Sequence, residues 1–176
     1  MLKRLQIFIY LFIFSINCFG QIDPKATEAK IKVVYLYNFT KYIQWPPEYQ
    51  AGDFIIGVLN GSPALLNELT KMASSKTAGS QRFIIKNYKT VAEIGKCNML
   101  YVPEGSNSLL GDALKKVKGL STLLVTEFEG DAKKGAAINF VIKDNKQEFE
   151  LNKGNAEKCH LEINSSLSAL AVSKID

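Results

Sequence analysis

The chain has 176 residues, 47% of them hydrophobic and 22% charged, with a formal net charge of +5. That length suits one domain able to bury a full core. The cations are spread along the chain, as at Lys32, Lys41, Lys71, Lys76 and Lys86, which argues against a dedicated nucleic-acid surface.

Residues 1–20 have the layout of a secretory signal peptide. Lys3 and Arg4 precede an apolar run over 7–14, and Cys18 and Gly20 stand three and one places before a cleavage point. Ser15 and Asn17 break the run well short of the roughly 20 apolar residues that a spanning helix needs. Acylation at Cys18 is disfavoured by Ile16 and Asn17, which stand where a lipoprotein signal carries small residues. The expected organisation is a signal peptide over 1–20 and one α/β domain over 21–176. Loss of Lys3 and Arg4 lowers the formal charge from +5 to +3.

Residues 26–43 contain no Gly or Pro and predict a helix, ended near Trp45 because the residue before Pro46 is driven out of the α region. Within it, "YLYNFTKYIQWPP" (35–47) crowds five aromatic rings into thirteen positions. A stacking platform for bases would set such rings among basic residues on a solvent face. Here the apolar residues occupy most of the circumference, as in a helix contacted on several sides. Asn38 and Trp45 are therefore assigned structural roles, since a polar group amid this much apolar surface must find a hydrogen-bond partner.

Strands are expected at "FIIGVL" (54–59), "RFIIKNY" (82–88), "CNMLYVP" (97–103) and "STLLVTE" (121–127), with helices over 63–72 and 108–119 and a short helical segment at "TVAEI". The strands' nearly continuous apolar runs suit a parallel sheet covered on both faces. "GAAINFVIKDNKQEFELN" (135–152) reads as an antiparallel hairpin, followed by a short helix, a strand near His160 and a closing helix. The predicted fold class is α/β: a single-domain, three-layer sandwich whose mostly parallel sheet is flanked by helices, with an antiparallel hairpin near the C-terminus.

Chemistry-bearing constellations are sparse. The lone His160 has no G-x-S-x-G serine to serve, and Cys159–His160 on a strand would point to opposite faces, poor for chelation. Glu127, Glu129 and Asp131 read as a solvated acidic loop. Neither phosphate-binding glycine signature is present. A weak anion site remains open at Asn60, Gly61 and Ser62, where a strand-to-helix turn presents backbone N–H groups at the mouth of the crevice beside Val102. No catalytic residue, metal or cofactor is expected. Cys97 and Cys159, the pair left after cleavage, are either bridged or two free thiols.

Five motifs in order resemble the YfiR-like periplasmic family: "KVVYLYNFTKYIQWP", "IIGVLNGSP", "IGKCNMLYV", "AAINFVIKDNKQEFELN" and "LEINSSLSALA". The resemblance runs from Ala26 to Val172. It implies a small periplasmic α/β protein without catalytic activity. The best-known member represses a membrane-bound diguanylate cyclase by binding its periplasmic domain, and relatives accompany histidine kinases. The implied partner is thus a membrane-bound signalling receptor, engaged through its periplasmic domain, with a homodimer left open. The single cysteine pair departs from that regulator's two bridges, so redox control does not carry over.

Docking is expected on the hairpin, at Phe140, Phe149 and Glu150, as apolar anchors within a charged rim. The alternative function is a small-molecule module using the crevice at Asn60, Gly61 and Ser62. Export predicts a mature chain beginning at Gln21, which intact-mass measurement of envelope-fraction protein checks. A lipid-sized increment on a chain starting at Cys18 is the contrary result.

Overall fold

The aromatic segment forms helix α1 (Pro24–Tyr42), the first element of the computed structural model, which describes residues 24–175. The expected signal peptide and its cleavage point lie outside the described residues. α1 gives way to the two-residue strand β1 (Ile43–Gln44), and Pro46 and Pro47 then open a 3-10 turn, Pro47–Tyr49. Strand β2 (Phe54–Leu59) leads through Asn60 and Gly61 into α2 (Pro63–Ser75). Ser62 caps that helix by accepting the Leu65 N–H at 3.3 Å, and Pro63 fills the first helical position, where its missing N–H costs nothing.

The chain continues through β3 (Thr77–Ala78), β4 (Gln81–Tyr88), a 3-10 turn at Val91–Glu93, β5 (Met99–Val102) and a 3-10 segment at Glu104–Leu109. Then come α3 (Leu110–Val117), β6 (Leu123–Thr126), α4 (Asp131–Lys134), β7 (Ile138–Lys143) and β8 (Lys146–Asn152). The closing elements are α5 (Lys153–Lys158), β9 (Glu162–Ile163), α6 (Ser165–Leu170) and β10 (Ser173–Ile175).

Eight strands make one sheet in the order β10-β8-β7-β6-β5-β2-β4-β3. Strands β4, β2, β5, β6 and β7 run parallel. The winding starts at β2, steps out to β4, then returns past β2 to β5, so the strand order reverses between β2 and β5. β8 returns antiparallel through a two-residue turn, with Asp144 at φ 49° and Asn145 at φ 57°, the positive pair of a type I′ hairpin.

One face of the sheet packs against α1, α2 and α6, with Leu36, Phe39, Leu69 and Leu167 buried over Ile56, Met99, Val125 and Phe140. The other face packs Leu110, Ala113 and Val117 of α3 over Leu59, Leu100, Val102 and Leu124. The three-layer α/β architecture matches the expectation from sequence.

Several details differ. A further short strand, β10, pairs parallel with β8 outside the hairpin. β1 and β9 form a separate antiparallel pair. His160 lies on no strand; it follows α5 in the left-handed region at φ 56°. Its N–H donates to the Glu157 carbonyl at 2.9 Å, and the Leu161 N–H donates to Ala156 at 3.1 Å, which together form a Schellman stop.

At the N-terminal end of the parallel strands, Trp45 is 5% exposed and packs edge-to-face on Phe54 at 4.9 Å. Its indole N–H donates to the Asn98 carbonyl at 2.9 Å. Asn98, itself 4% exposed, donates from its side chain to the Tyr49 carbonyl at 2.8 Å and accepts the Ile55 N–H at 2.9 Å. Trp45→Ala should lower unfolding free energy by about 3–5 kcal/mol, as large aromatic truncations do. Asn98→Ala leaves the Ile55 N–H without its acceptor, while the Tyr49 carbonyl keeps Gln81 Nε2 at 3.1 Å, and should cost about 1–3 kcal/mol. Urea unfolding checks both, and losses under 1 kcal/mol would contradict the assignment.

Candidate functional site

The crevice expected at the strand reversal is occupied by the chain's own hydrogen bonds. The Asn60 N–H donates to the Tyr88 carbonyl at 2.8 Å and the Gly61 N–H to Asn87 Oδ1 at 3.0 Å. Ser62 Oγ is committed to capping α2, and Ser106 Oγ donates to the Leu59 carbonyl across the crevice at 3.1 Å. The Asn60 and Gly61 N–H groups, two of the donors that an anion would need, are therefore spent. Asn60 itself sits at φ 55°. A Cβ on Gly61 would meet Val58 Cγ1 at 2.9 Å and Leu66 Cδ2 at 3.0 Å. Asn60, Gly61 and Ser62 serve a close strand-to-helix crossing.

Beside that crevice lies a charged centre that the sequence pattern did not mark. Lys32 of α1 pairs with Glu127, which follows β6, and with Glu28 one turn away. Glu127 also accepts the Tyr101 hydroxyl at 2.6 Å and the Glu104 N–H at 2.7 Å. Burial opposes the charge on Lys32, but the two carboxylates more than offset it and hold its pKa above the ordinary value. Burial, reinforced by Glu127, drives the Tyr101 phenol far above its usual range. Asp131 is 1% exposed and pairs with Lys134 at 3.0 Å. The acidic segment is thus no solvated loop: two of its carboxylates are sequestered by lysines that sequence reading treated as scattered.

The hairpin divides its side chains between two faces. Phe140 and Phe149, expected as docking anchors, are 2% and 1% exposed beneath α1 and so present no surface. Phe39 lies 5.9 Å from Phe140 and 5.2 Å from Phe149, with Tyr35 at 5.8 and 5.9 Å. Strand alternation sends Asn139, Val141, Glu148 and Glu150 to the opposite face, in the pairs Asn139–Glu150 and Val141–Glu148. There Thr126 Oγ1 donates to Asn139 Oδ1 at 2.8 Å, and Asn139 Nδ2 donates to Glu150 Oε2 at 3.0 Å. No residue of 138–152 joins the core cluster under α3, so this face is only partly covered, by α4 near its lower end. Glu150, Glu148 and Val141 remain half-exposed on it.

Asn38 is half-buried and accepts from Lys41 at 3.4 Å, a contact on the surface of α1. Cys97 and Cys159 are both free thiols. Cys97 is buried in the cluster under α3, whereas Cys159 packs against the cluster under α1, on the other side of the sheet. Among the described residues, no group of three or more His, Cys, Asp or Glu side chains is arranged to hold a metal ion.

A family model described as YfiR/HmsC-like matches residues 29–172. The chain belongs to the YfiR/HmsC-like family. No curated protein sequence matches it. Among solved structures, it is similar to a conserved domain protein from Vibrio cholerae, with TM-score 0.58, 12% identity and 84% of this chain covered. It is also similar to an ABC domain from Streptococcus pneumoniae solved with L-Trp, with TM-score 0.56, 12% identity and the same coverage. This chain spans 60% of the length of each, and the likeness is one of fold alone.

Burial pushes the Cys97 thiol up to about 11, above its ordinary value. A thiol whose folded pKa is raised retains its proton in the native state, so its contribution is complete below pH 9 and is lost as pH rises towards 11. Two pKa units correspond to about 2–3 kcal/mol. The urea midpoint should fall between pH 9 and 11, and the fall should shrink in Cys97→Ala. An equal fall in that variant would show that other groups carry the effect.

Proposed function

We propose that this protein is an exported, non-enzymatic regulator that binds the periplasmic part of a membrane signalling protein, of diguanylate cyclase or histidine kinase type, and represses or tunes it. The observation that carries this reading is membership of the YfiR/HmsC-like family over residues 29–172, nearly the whole described domain. No helix among the described residues is long and apolar enough to cross a membrane.

The half-covered face of β7 and β8 suits that role. Val141 offers apolar contact, and Glu148 and Glu150 give a charged border. Apolar contacts inside a polar rim are the usual anatomy of a regulated interface. The phenylalanines support the face from below by fixing the strands against α1.

Co-purification with a membrane kinase or cyclase from solubilised envelope, followed by reconstitution with its periplasmic domain, tests the reading. Glu150→Lys should weaken that complex at least about tenfold, or 1.4 kcal/mol. It should also cost about 1–3 kcal/mol of stability, because buried Asn139 Nδ2 loses its acceptor. Glu148→Lys should weaken the complex while changing the urea midpoint little. Phe140→Ala should instead lose about 3–5 kcal/mol of stability, as a core truncation does. Unchanged affinity of Glu150→Lys would move the docking surface elsewhere. A thermal shift with a metabolite and no protein partner would favour the small-molecule alternative.

A further inference from the structure

The sheet's other end carries a second feature, remote from the hairpin. Strand β4 has eight residues, yet its outer neighbour β3 pairs only with Gln81 and Arg82. Beyond Arg82, the outer side of β4 has no strand partner among the described residues. The direction of its main-chain groups follows from one bond. The Tyr88 carbonyl accepts the Asn60 N–H at the end of β2, so Tyr88 faces inward. Alternation along the strand then turns the N–H and C=O groups of Ile85 and Asn87 outward. The Ala78–Gln81 pairing across the Gly79–Ser80 turn agrees, because it sets Gln81 outward in the same phase.

The side chains along this edge have a definite character. Ile84 is 37% exposed and pairs in register with the half-exposed Ile55 of β2. A cleft of about 450 Å³, lined by Ala73, Ser75, Lys76, Phe83 and Ile84, runs alongside. Between residues 76 and 89 stand four cations, Lys76, Arg82, Lys86 and Lys89, and no acid. Arg82 is bound to Asp53 at 3.3 Å, whereas Lys76 and Lys86 make no ion pair among the described residues.

We propose that the outer edge of β4 is a docking site for an extended acidic polypeptide segment, which adds to the sheet as a further strand. Main-chain bonds to Ile85 and Asn87 would hold it, as in other strand additions. Directly opposite residues on neighbouring strands interact, so the segment carries an apolar side chain facing Ile84 and a carboxylate facing Lys86. Lys76 and Lys89 mark the two ends. A second copy of this chain is the poorer occupant, because two-fold pairing of β4 on itself sets one cationic edge against another. This surface is distinct from the β7–β8 face, which lies towards the opposite end of the sheet order, and it does not depend on the receptor reading.

The test is amide NMR of the labelled protein with a capped Thr-Val-Thr-Glu-Thr-Glu peptide, which sets Val and Glu two places apart on one face to meet Ile84 and Lys86, and with Thr-Val-Thr-Lys-Thr-Lys as its charge-reversed counterpart. The acidic peptide should shift the amide signals of Ile85 and Asn87 and slow their exchange with solvent at least tenfold, and the basic peptide should do neither. Ile85→Pro removes one outward donor and should abolish the response. Lys86→Glu leaves the backbone intact, so it decides the matter if the proline variant does not fold, and it should weaken acidic-peptide binding at least tenfold. Equal response to both peptides, shifts confined to other strands, or full binding by Lys86→Glu would each overturn the proposal. So would protection of Ile85 and Asn87 that grows with protein concentration without peptide, since that would seat a second copy on the edge.

Discussion

A single buried amide sets the geometry at the N-terminal end of the sheet. Asn98 bonds through its side chain to the 3-10 turn at Tyr49 and to β2 at Ile55. Its main-chain N–H returns to the Ile55 carbonyl at 3.0 Å, and its carbonyl receives both the Trp45 indole and the Leu123 N–H. An unpaired buried amide group costs 1–3 kcal/mol, so the arrangement in which all are paired excludes its near neighbours. The exit of α1, the start of β2 and the start of β6 are thereby fixed to one another. With that end fixed, α1 can lie across the sheet and bring Lys32 to Glu127 at the far end.

The hairpin shows how one element serves two roles by alternation. Its α1 face is consumed by the ring cluster around Phe39, and its other face is polar, with Asn139 and Thr126 wholly buried and satisfied by each other and by Glu150. The interior pair costs little because its bonds are complete. The half-exposed acids beyond it therefore project from a stiff support, which suits a surface that must present charge in a set position.

Much of this was legible from residue order. The strands at 54–59, 82–88, 97–103 and 121–127 announce themselves because burial on both faces demands continuous apolar runs. The α2 start was readable from Ser62 and Pro63, since capping is a local interaction. β1, β3 and β10 were not readable, being two or three residues long with no periodicity of their own, whereas the strand expected near His160 is β9, two residues further on. The side of the hairpin on which Phe140 and Phe149 fall was also hidden: alternation fixes that they share a face, but only the position of α1 says which face is buried. Lys32 with Glu127, and Asn98 with Trp45, are pairings between distant segments, and neither partner carries a local mark of the other.

The placement of α1 also bears on how the chain reaches this state. The Tyr35 hydroxyl donates to the Gln147 carbonyl, 112 residues further along, and the rings that cover Tyr35 and Phe39 belong to the same late strands. Contacts of such long separation form slowly, because loop closure must precede any gain from them. The helix made first is thus among the last to be completed. Until β7 and β8 arrive, its aromatic side faces solvent, and that interval is when the chain is most exposed to wrong associations.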